Sequence, residues 1–332
     1  MQTKIVVPNW IETETIARLQ TVGEVVANTE LEPVDQDALR DSCRDASAVM
    51  AFMTECIDDG FLAACPDLKI VACALKGFDN FDVDACTRRG VLLTYVPDLL
   101  TEPTAELALG LMIALARNMR AADTYVRSGE FAGWRPRFYG GSIQGATVGV
   151  IGAGAVGRET MRLLSGFRGQ RLYFDEERLD PTTEKALTAR YAPLDELVST
   201  SDFVVLALPL TPRTMHIVNE DFIRRMKRGA YLVNPARGSL VDETAVANAL
   251  KKGDIAGYAA DTFEMEDWHR PDRPRHIHPD ILRSDRTVLS PHIGSAVTDV
   301  RRQIAASAAD SIITTLNGGC PEHALNPEAL GR

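Results

Sequence analysis

Ten short runs of apolar, mostly β-branched residues recur along this chain, at 4–8, 46–52, 68–75, 91–96, 146–152, 171–174, 203–208, 230–233, 255–260 and 287–289. Stretches with helical spacing separate most of them. A strand buried on both faces reads as such a continuous apolar run. Strands that alternate with helices pack as a parallel sheet with both faces covered. The chain is therefore expected to be α/β. The runs fall into two series, divided by a helical stretch over 101–128 that opens with Thr101-Glu102-Pro103, good helix-start chemistry. At roughly 150 residues per domain, 332 residues also suggest two domains. The segment from Ser295 to Leu316 reads as one amphipathic helix after the second series, placed to return and cover the first domain. The expected layout is 1–98 with 295–332 as a substrate-binding domain and 99–294 as a dinucleotide-binding domain. Both are expected to be Rossmann-like or flavodoxin-like, with parallel sheets and an active-site cleft between them, a common place for a ligand.

The chain carries a formal net charge of −10. A general binder of nucleic acid or anionic membrane should carry a basic surplus, so both partners are disfavoured. No apolar run approaches the ~18 residues of a membrane-spanning helix, and the start Met1–Pro8 is too short for a signal peptide. A cytoplasmic location is expected. The six cysteines, Cys43, Cys56, Cys65, Cys73, Cys86 and Cys320, form no C-x-x-C pair. They read as buried reduced thiols, and no metal site is expected.

The strongest local signal is Gly152-x-Gly154-x-x-Gly157, which follows the run 146–152 and opens a helix, read as 158–165. Gly152 permits a tight turn, Gly154 lets the backbone approach a pyrophosphate, and Gly157 lets helix and strand pack closely. The next run ends in Asp175, an acid about 20 residues on, where the ribose ligand is expected. A carboxylate there accepts from both ribose hydroxyls of NAD and repels the extra phosphate of NADP, with Glu176 adding to that. Arg171 and Arg178 lie nearby in sequence, but NAD is the expected cofactor.

Three further positions stand at strand ends, where ligands of α/β sheets sit. Arg237, in Asn234-Pro235-Ala236-Arg237-Gly238, offers a planar fork for an oxyanion. His292 sits between Pro291 and Ile293-Gly294, where the backbone is rigid and a ligand can come close. A carboxylate beside it would fix its tautomer; Glu266 is the first candidate, with Glu264 and Asp267 as competitors. Lys76, followed at once by Gly77, could meet an anion.

Taken together, the glycine loop, Asn234–Gly238, Gly257–Phe263 with Glu266, and Ser290–Gly294 resemble the D-2-hydroxyacid dehydrogenase superfamily over essentially the whole chain. Within it, Met50–Met53, Cys73–Asp82, Val96–Thr101, Phe263–Trp268 and Pro291–Val297 look most like the phosphite dehydrogenases. The resemblance implies Arg237, Glu266 and His292 as the catalytic set. It implies a substrate pocket of Met53, Lys76, Gly77, Arg237, His292, Ser295 and Arg301, with Trp134 and Tyr139 near it. It implies Thr104, Gly152, Gly154, Ala155, Val156, Gly157, Asp175, Pro209, Pro235, Ala236, Arg237, Asp261, His292 and Gly294 as cofactor contacts. It also implies a homodimer through 101–141, where Trp134, Phe138 and Tyr139 enrich a chain with 6% aromatic residues. The activity so implied is NAD-dependent oxidation of phosphite to phosphate, with water as oxygen source. Phosphite is largely a dianion near neutral pH, and Lys76, Arg237 and Arg301 hold more positive charge than one carboxylate needs. The alternatives are dehydrogenation of a small D-2-hydroxy acid, or a dinucleotide-sensing binding protein of the corepressor kind.

Overall fold

The computed structural model describes residues 3–331. Among them, twelve strands form two sheets, every pairing parallel. The first holds β1 (Lys4–Val7), β2 (Glu24–Ala27), β3 (Ala48–Ala51), β4 (Ile70–Cys73) and β5 (Leu92–Thr94), in the order β2-β1-β3-β4-β5. The second holds β6 (Val148–Ile151), β7 (Arg171–Phe174), β8 (Ala189–Tyr191), β9 (Phe203–Leu206), β10 (Tyr231–Asn234), β11 (Gly257–Ala260) and β12 (Thr287–Leu289). Its order is β12-β11-β10-β9-β6-β7-β8. The first order is flavodoxin-like and the second is the doubly wound dinucleotide-binding order with one strand added. The strand order reverses between β1 and β3 in one sheet and between β6 and β9 in the other. Crevices open at the carboxyl ends of such strands.

The chain divides into two compact units. One comprises the stretch up to Leu100, Trp268–Pro271 and the stretch from Ser295; the other comprises Thr101–Asp267 and Asp272–Gly294. Each has a sheet covered on both faces. In the first unit the period-two alternation of a strand sends Ile5 and Val7 to one face and Val6 to the other. Ile5, Val7, Met50 and Ile70 meet Ile304, Ala308 and Ile312 of the helix Thr298–Leu316. Spacing of four residues puts these three on one helix face. Each isoleucine is fully buried, a contribution of about 1.5–3 kcal/mol. Val6, Val49 and Val71 meet Phe61 and Leu62 on the opposite face.

In the second unit, Val148, Val150, Phe203 and Val233 pack against Leu111, Met112 and Leu115 of the helix Thr101–Ala116. Ile151, Val204, Leu206 and Leu232 pack against Phe222, Val246 and Leu250 on the other face.

Several local expectations need correction. Strands β2 and β8 were not anticipated. Both are edge strands whose residues are partly exposed, so neither is written as an apolar run. The stretch 101–128 is two helices, Thr101–Ala116 and Met119–Arg127, broken at Asn118 with φ +53°. Asparagine tolerates that left-handed conformation, and its side chain donates to Phe138 O and Tyr139 O. The helix after the glycine loop spans Ala155–Leu163 and begins earlier than expected, because Gly154 serves as its N-cap. The last helix begins at Thr298. Four cysteines are buried, but Cys56 is only half-buried and Cys320 is exposed. Burial pushes the Cys43 and Cys86 thiols up to about 12. Among the described residues, no helix is long and apolar enough to cross a membrane.

Candidate active site

The second unit presents its glycine loop at the carboxyl end of β6. Gly152 has φ +101°, and a Cβ there would fall 2.3 Å from Ala207 O. A Cβ on Gly157, at the start of the helix, would fall 1.9 Å from Gly152 O. Both glycines are demanded by the fold itself. Gly154 differs: it is exposed, and nothing lies within 4 Å of the position its Cβ would take. The loop is thus open on that side. Ala155 and Val156 form the first helical turn behind it. Asp175, just beyond β7, accepts from Ala153 N at 2.6 Å and from Glu176 N at 2.7 Å, which holds its carboxylate against the loop. This arrangement fits a dinucleotide, with pyrophosphate at the helix N-terminus and ribose at the acid.

The two neighbouring arginines are not cofactor ligands in waiting. Arg171 is buried and donates to Leu187 O, Leu164 O and Phe167 O. Arg178 pairs with Glu184 at 2.9 Å. Pro209, exposed in the loop after β9, accepts from Thr214 Oγ1 at 2.7 Å.

Three further turns of the same unit interlock. Strand β10 ends at buried Asn234, whose side chain donates to Arg237 O at 2.8 Å and accepts from Ala236 N at 3.1 Å. This closes the sharp Pro235-Ala236 turn and sets the Arg237 backbone. Arg237 is half-buried, and its Nη1 donates to Ala236 O at 2.9 Å. A Cβ on Gly238 would fall 1.9 Å from the Phe263 carbonyl carbon, so only glycine lets this turn press on the next one. In that next turn, Glu266 Oε1 accepts from Phe263 N at 2.7 Å. Its other oxygen, Oε2, lies 2.6 Å from His292 Nδ1.

The competing acids are occupied elsewhere. Glu264 meets His216 Nε2 at 2.9 Å, and Asp267 accepts from Ser239 N at 2.9 Å.

The loop that carries His292 is clamped by Asp261. Its carboxylate accepts from Ser290 Oγ at 2.5 Å, Ile293 N at 2.9 Å and Gly294 N at 2.8 Å, while its carbonyl accepts from His292 N at 2.7 Å. Asp261 is fully buried, and burial raises its pKa against the pull of these donors. The clamp holds His292 at φ +55°, a left-handed backbone that costs a non-glycine residue on the order of 1–3 kcal/mol. Thr104 Oγ1 reaches Gly294 O at 3.5 Å, and a Cβ on Gly294 would crowd Asp261 and Thr104. Asp261 thus acts as the anchor of the histidine loop. Ser290 and Asn234 are supporting residues that the motif reading did not single out.

Trp134 and Tyr139 also belong to this unit. They are 77% and 76% exposed, on an arm where Arg137 lies 4.4 Å from the Tyr125 ring centroid.

The first unit gathers its own set at the carboxyl ends of β3 and β4. Arg301 Nη1 reaches Ala74 O at 3.4 Å and Ser295 Oγ at 3.5 Å, with its guanidinium 5.9 Å from the Phe52 ring centroid. Burial lowers the Arg301 pKa. Among the described residues Arg301 forms no ion pair. Met53 is half-buried, and its carbonyl accepts from Asn80 Nδ2 at 3.2 Å. Buried Glu55 ties the turn down by accepting from Phe52 N, from Thr54 Oγ1 and from Asn9 Nδ2 at 2.7 Å. Lys76 and Gly77, both half-buried, follow β4. No cluster of three or more His, Cys, Asp or Glu side chains suited to a metal occurs among the described residues.

Comparison with known proteins agrees with this architecture. The family model described as D-isomer specific 2-hydroxyacid dehydrogenase, NAD binding domain, matches residues 109–294. A glyoxylate reductase of Thermococcus onnurineus is 38% identical, covering 99% of this chain and 98% of the relative. A glyoxylate reductase of Thermofilum pendens is 36% identical over 98% of this chain and 95% of the relative. Among solved structures, a Thermus thermophilus protein superposes with a TM-score of 0.87 at 30% identity, covering 97% of this chain and all of that one. The apo D-lactate dehydrogenase of Escherichia coli does so at 0.80 and 26% identity, over 97% of this chain and all of that one. The names among these relatives are glyoxylate reductase and D-lactate dehydrogenase, rather than the phosphite dehydrogenase that the motifs suggested. The chain belongs to the D-isomer-specific 2-hydroxyacid dehydrogenase family and carries that family's NAD-binding domain.

Proposed function

We propose that the protein is an NAD(H)-dependent dehydrogenase that interconverts a small 2-oxo acid and its 2-hydroxy acid, glyoxylate and glycolate being the first pair to test. The observation that carries this reading is the 2.6 Å contact of His292 Nδ1 with Glu266, on a turn packed against that of Arg237. Bound NAD(H) would supply or take the hydride. In the reducing direction His292 Nε2 donates a proton to the carbonyl oxygen; in the oxidising direction it takes the hydroxyl proton. Glu266 fixes the ring through Nδ1 and offsets the imidazolium charge. Arg237 grips the carboxylate with its planar fork. The relatives named glyoxylate reductase support this choice of substrate.

A second reading, oxidation of phosphite, is favoured by the positive charge of the first unit. Arg301 is a partly buried cation without an ion pair among the described residues, and Lys76 follows β4 two residues after Ala74, whose carbonyl Arg301 reaches. That charge suits a dianion better than a monoanion. In this reaction the P–H hydrogen leaves as hydride and the oxygen of water adds to phosphorus. His292 takes the proton of that water, giving phosphate, reduced cofactor and a released proton. One pair of assays decides: NADH oxidation with glyoxylate, and NAD reduction with phosphite. Glyoxylate turnover without phosphite turnover supports the first reading, and the reverse supports the second. A protein that binds NADH yet turns over neither phosphite nor any of a panel of small 2-oxo acids overturns both and favours a dinucleotide sensor.

We also infer a homodimer through the aromatic arm. Phe131, Trp134 and Tyr139 are each more than half exposed, apolar surface of the kind that interface cores bury. Light scattering at micromolar concentration tests it; a monomer would refute it.

A further inference from the structure

The loop after β9 reaches the loop after β7. Arg213 Nη1 lies 3.2 Å from Glu176 Oε1, and Nη2 lies 3.3 Å from Oε2. Strand β6 sits between those two strands, so the pair bridges the carboxyl end of the strand that carries the glycine loop. Glu176 follows Asp175 directly, and Asp175 is held on the loop by Ala153 N. Arg213 is mounted on a firm turn: Thr214 Oγ1 donates to Pro209 O at 2.7 Å, and Thr211 N donates to Thr214 Oγ1 at 2.8 Å. Both members of the pair are exposed, 80% and 69%, so water screens their attraction and the guanidinium is readily released.

We propose that Arg213 and Glu176 set the discrimination between dinucleotides with and without a phosphate on the adenosine ribose. Arg213 is a latent phosphate ligand, and Glu176 keeps it neutralised. The inference rests on the reading that Asp175 takes that ribose. A guanidinium presents two parallel donors to a phosphate as readily as to a carboxylate. In the parent protein an incoming phosphate meets two carboxylates, Asp175 and Glu176, and Arg213 is already paired with one of them. Glu176→Gln removes one negative charge and frees the arginine at the same time. Specificity therefore depends on a contact between loops far apart in sequence, in addition to the acid at the end of β7.

The test is a double-mutant cycle on the full-length protein. Parent, Glu176→Gln, Arg213→Ala and the double variant are titrated with NAD and NADP by isothermal calorimetry. Glu176→Gln should tighten NADP relative to NAD by roughly tenfold, and Arg213→Ala in the Glu176→Gln background should remove most of that gain, leaving only the part due to the lost repulsion. An equal gain in the single and double variants would show plain charge repulsion and overturn the role of Arg213. No gain in Glu176→Gln would overturn it as well. Asp175→Ala separates the underlying reading. Should that variant bind NAD as the parent does, the ribose assignment falls and takes the proposal with it. Should it bind NAD more weakly while Glu176→Gln gains nothing, the proposal alone fails.

Discussion

His292 meets Glu266 across 2.6 Å from a backbone held at φ +55°, so the ring's position is governed from two directions. Glu266 is itself fixed by Phe263 N, and the histidine loop by buried Asp261. Proton transfer by a positioned histidine is worth about 10²–10⁴ in rate. Glu266→Gln keeps a hydrogen-bond acceptor and loses the charge; Glu266→Ala loses both. The expected fall in kcat is roughly tenfold for Gln and a hundredfold for Ala, with NADH affinity little changed. Equal kcat for parent and both variants would remove Glu266 from the mechanism.

The second and third glycines of the cofactor loop, Gly154 and Gly157, should respond in opposite ways. A Cβ on Gly157 collides with Gly152 O, whereas Gly154 has open space and φ −65°, within reach of any residue. Gly157→Ala is expected to lower Tm by roughly 5 °C or more. Gly154→Ala should leave Tm near the parent value yet weaken NADH binding, because only a ligand needs that space. Calorimetry of both variants, with and without NADH, checks the contrast. A Gly154→Ala protein that binds NADH normally would show that the loop faces no pyrophosphate.

Acid sensitivity has an identifiable local contributor. Arg178 donates two hydrogen bonds to Glu184 and Tyr173 OH a third, and together they hold Glu184 near 2 rather than its ordinary 4.5. A carboxylate with a depressed folded-state pKa stabilises the fold above its unfolded value. That contribution is lost as pH falls from about 4.5 through about 2. The Tm difference between the parent and Glu184→Gln should therefore be largest near neutrality and shrink over that window. A difference independent of pH would contradict the assignment.

Much of this fold is legible from residues that have no alternative. Val49, Val71, Val150 and Val204 lie in central strands buried on both faces, and such strands can only be written as apolar runs. Edge strands β2 and β8 need no such run, and the sequence around Glu24 or Arg190 accordingly carries at most a short strand signal. The break at Asn118 is invisible to helical periodicity because residues on both sides remain helical. The same limit applies to the site. Gly152 and Asp175 are tied by local spacing, so they could be read. The choice of Glu266 over Glu264 and Asp267 depends on which way a short turn points each carboxylate. Arg213 and Glu176 lie 37 residues apart, and the excursion Trp268–Pro271 groups with the first unit rather than with the turn it leaves. Only the folded chain brings such pairs together.

The two proposed substrates predict different responses at Lys76. The residue is half-buried after β4, close in sequence to Ala74, whose carbonyl receives Arg301. If the substrate is a phosphite dianion, Lys76 is proposed to neutralise one of its two charges. A hydrogen bond to a charged group is worth about 1.5–3 kcal/mol, and each 1.4 kcal/mol is about tenfold. Lys76→Ala should then lower kcat/KM for phosphite by roughly ten- to a hundredfold, and Lys76→Arg, which keeps charge but alters geometry, should lose less. NADH affinity should change little, because Lys76 belongs to the unit without the glycine loop. If the substrate is glyoxylate, one arginine fork satisfies one carboxylate, and Lys76→Ala should alter kcat/KM by only about two- to threefold. Steady-state rates of the three proteins, with each substrate at saturating cofactor, distinguish these cases. A phosphite-active parent with an unimpaired Ala variant would remove Lys76 from the substrate site.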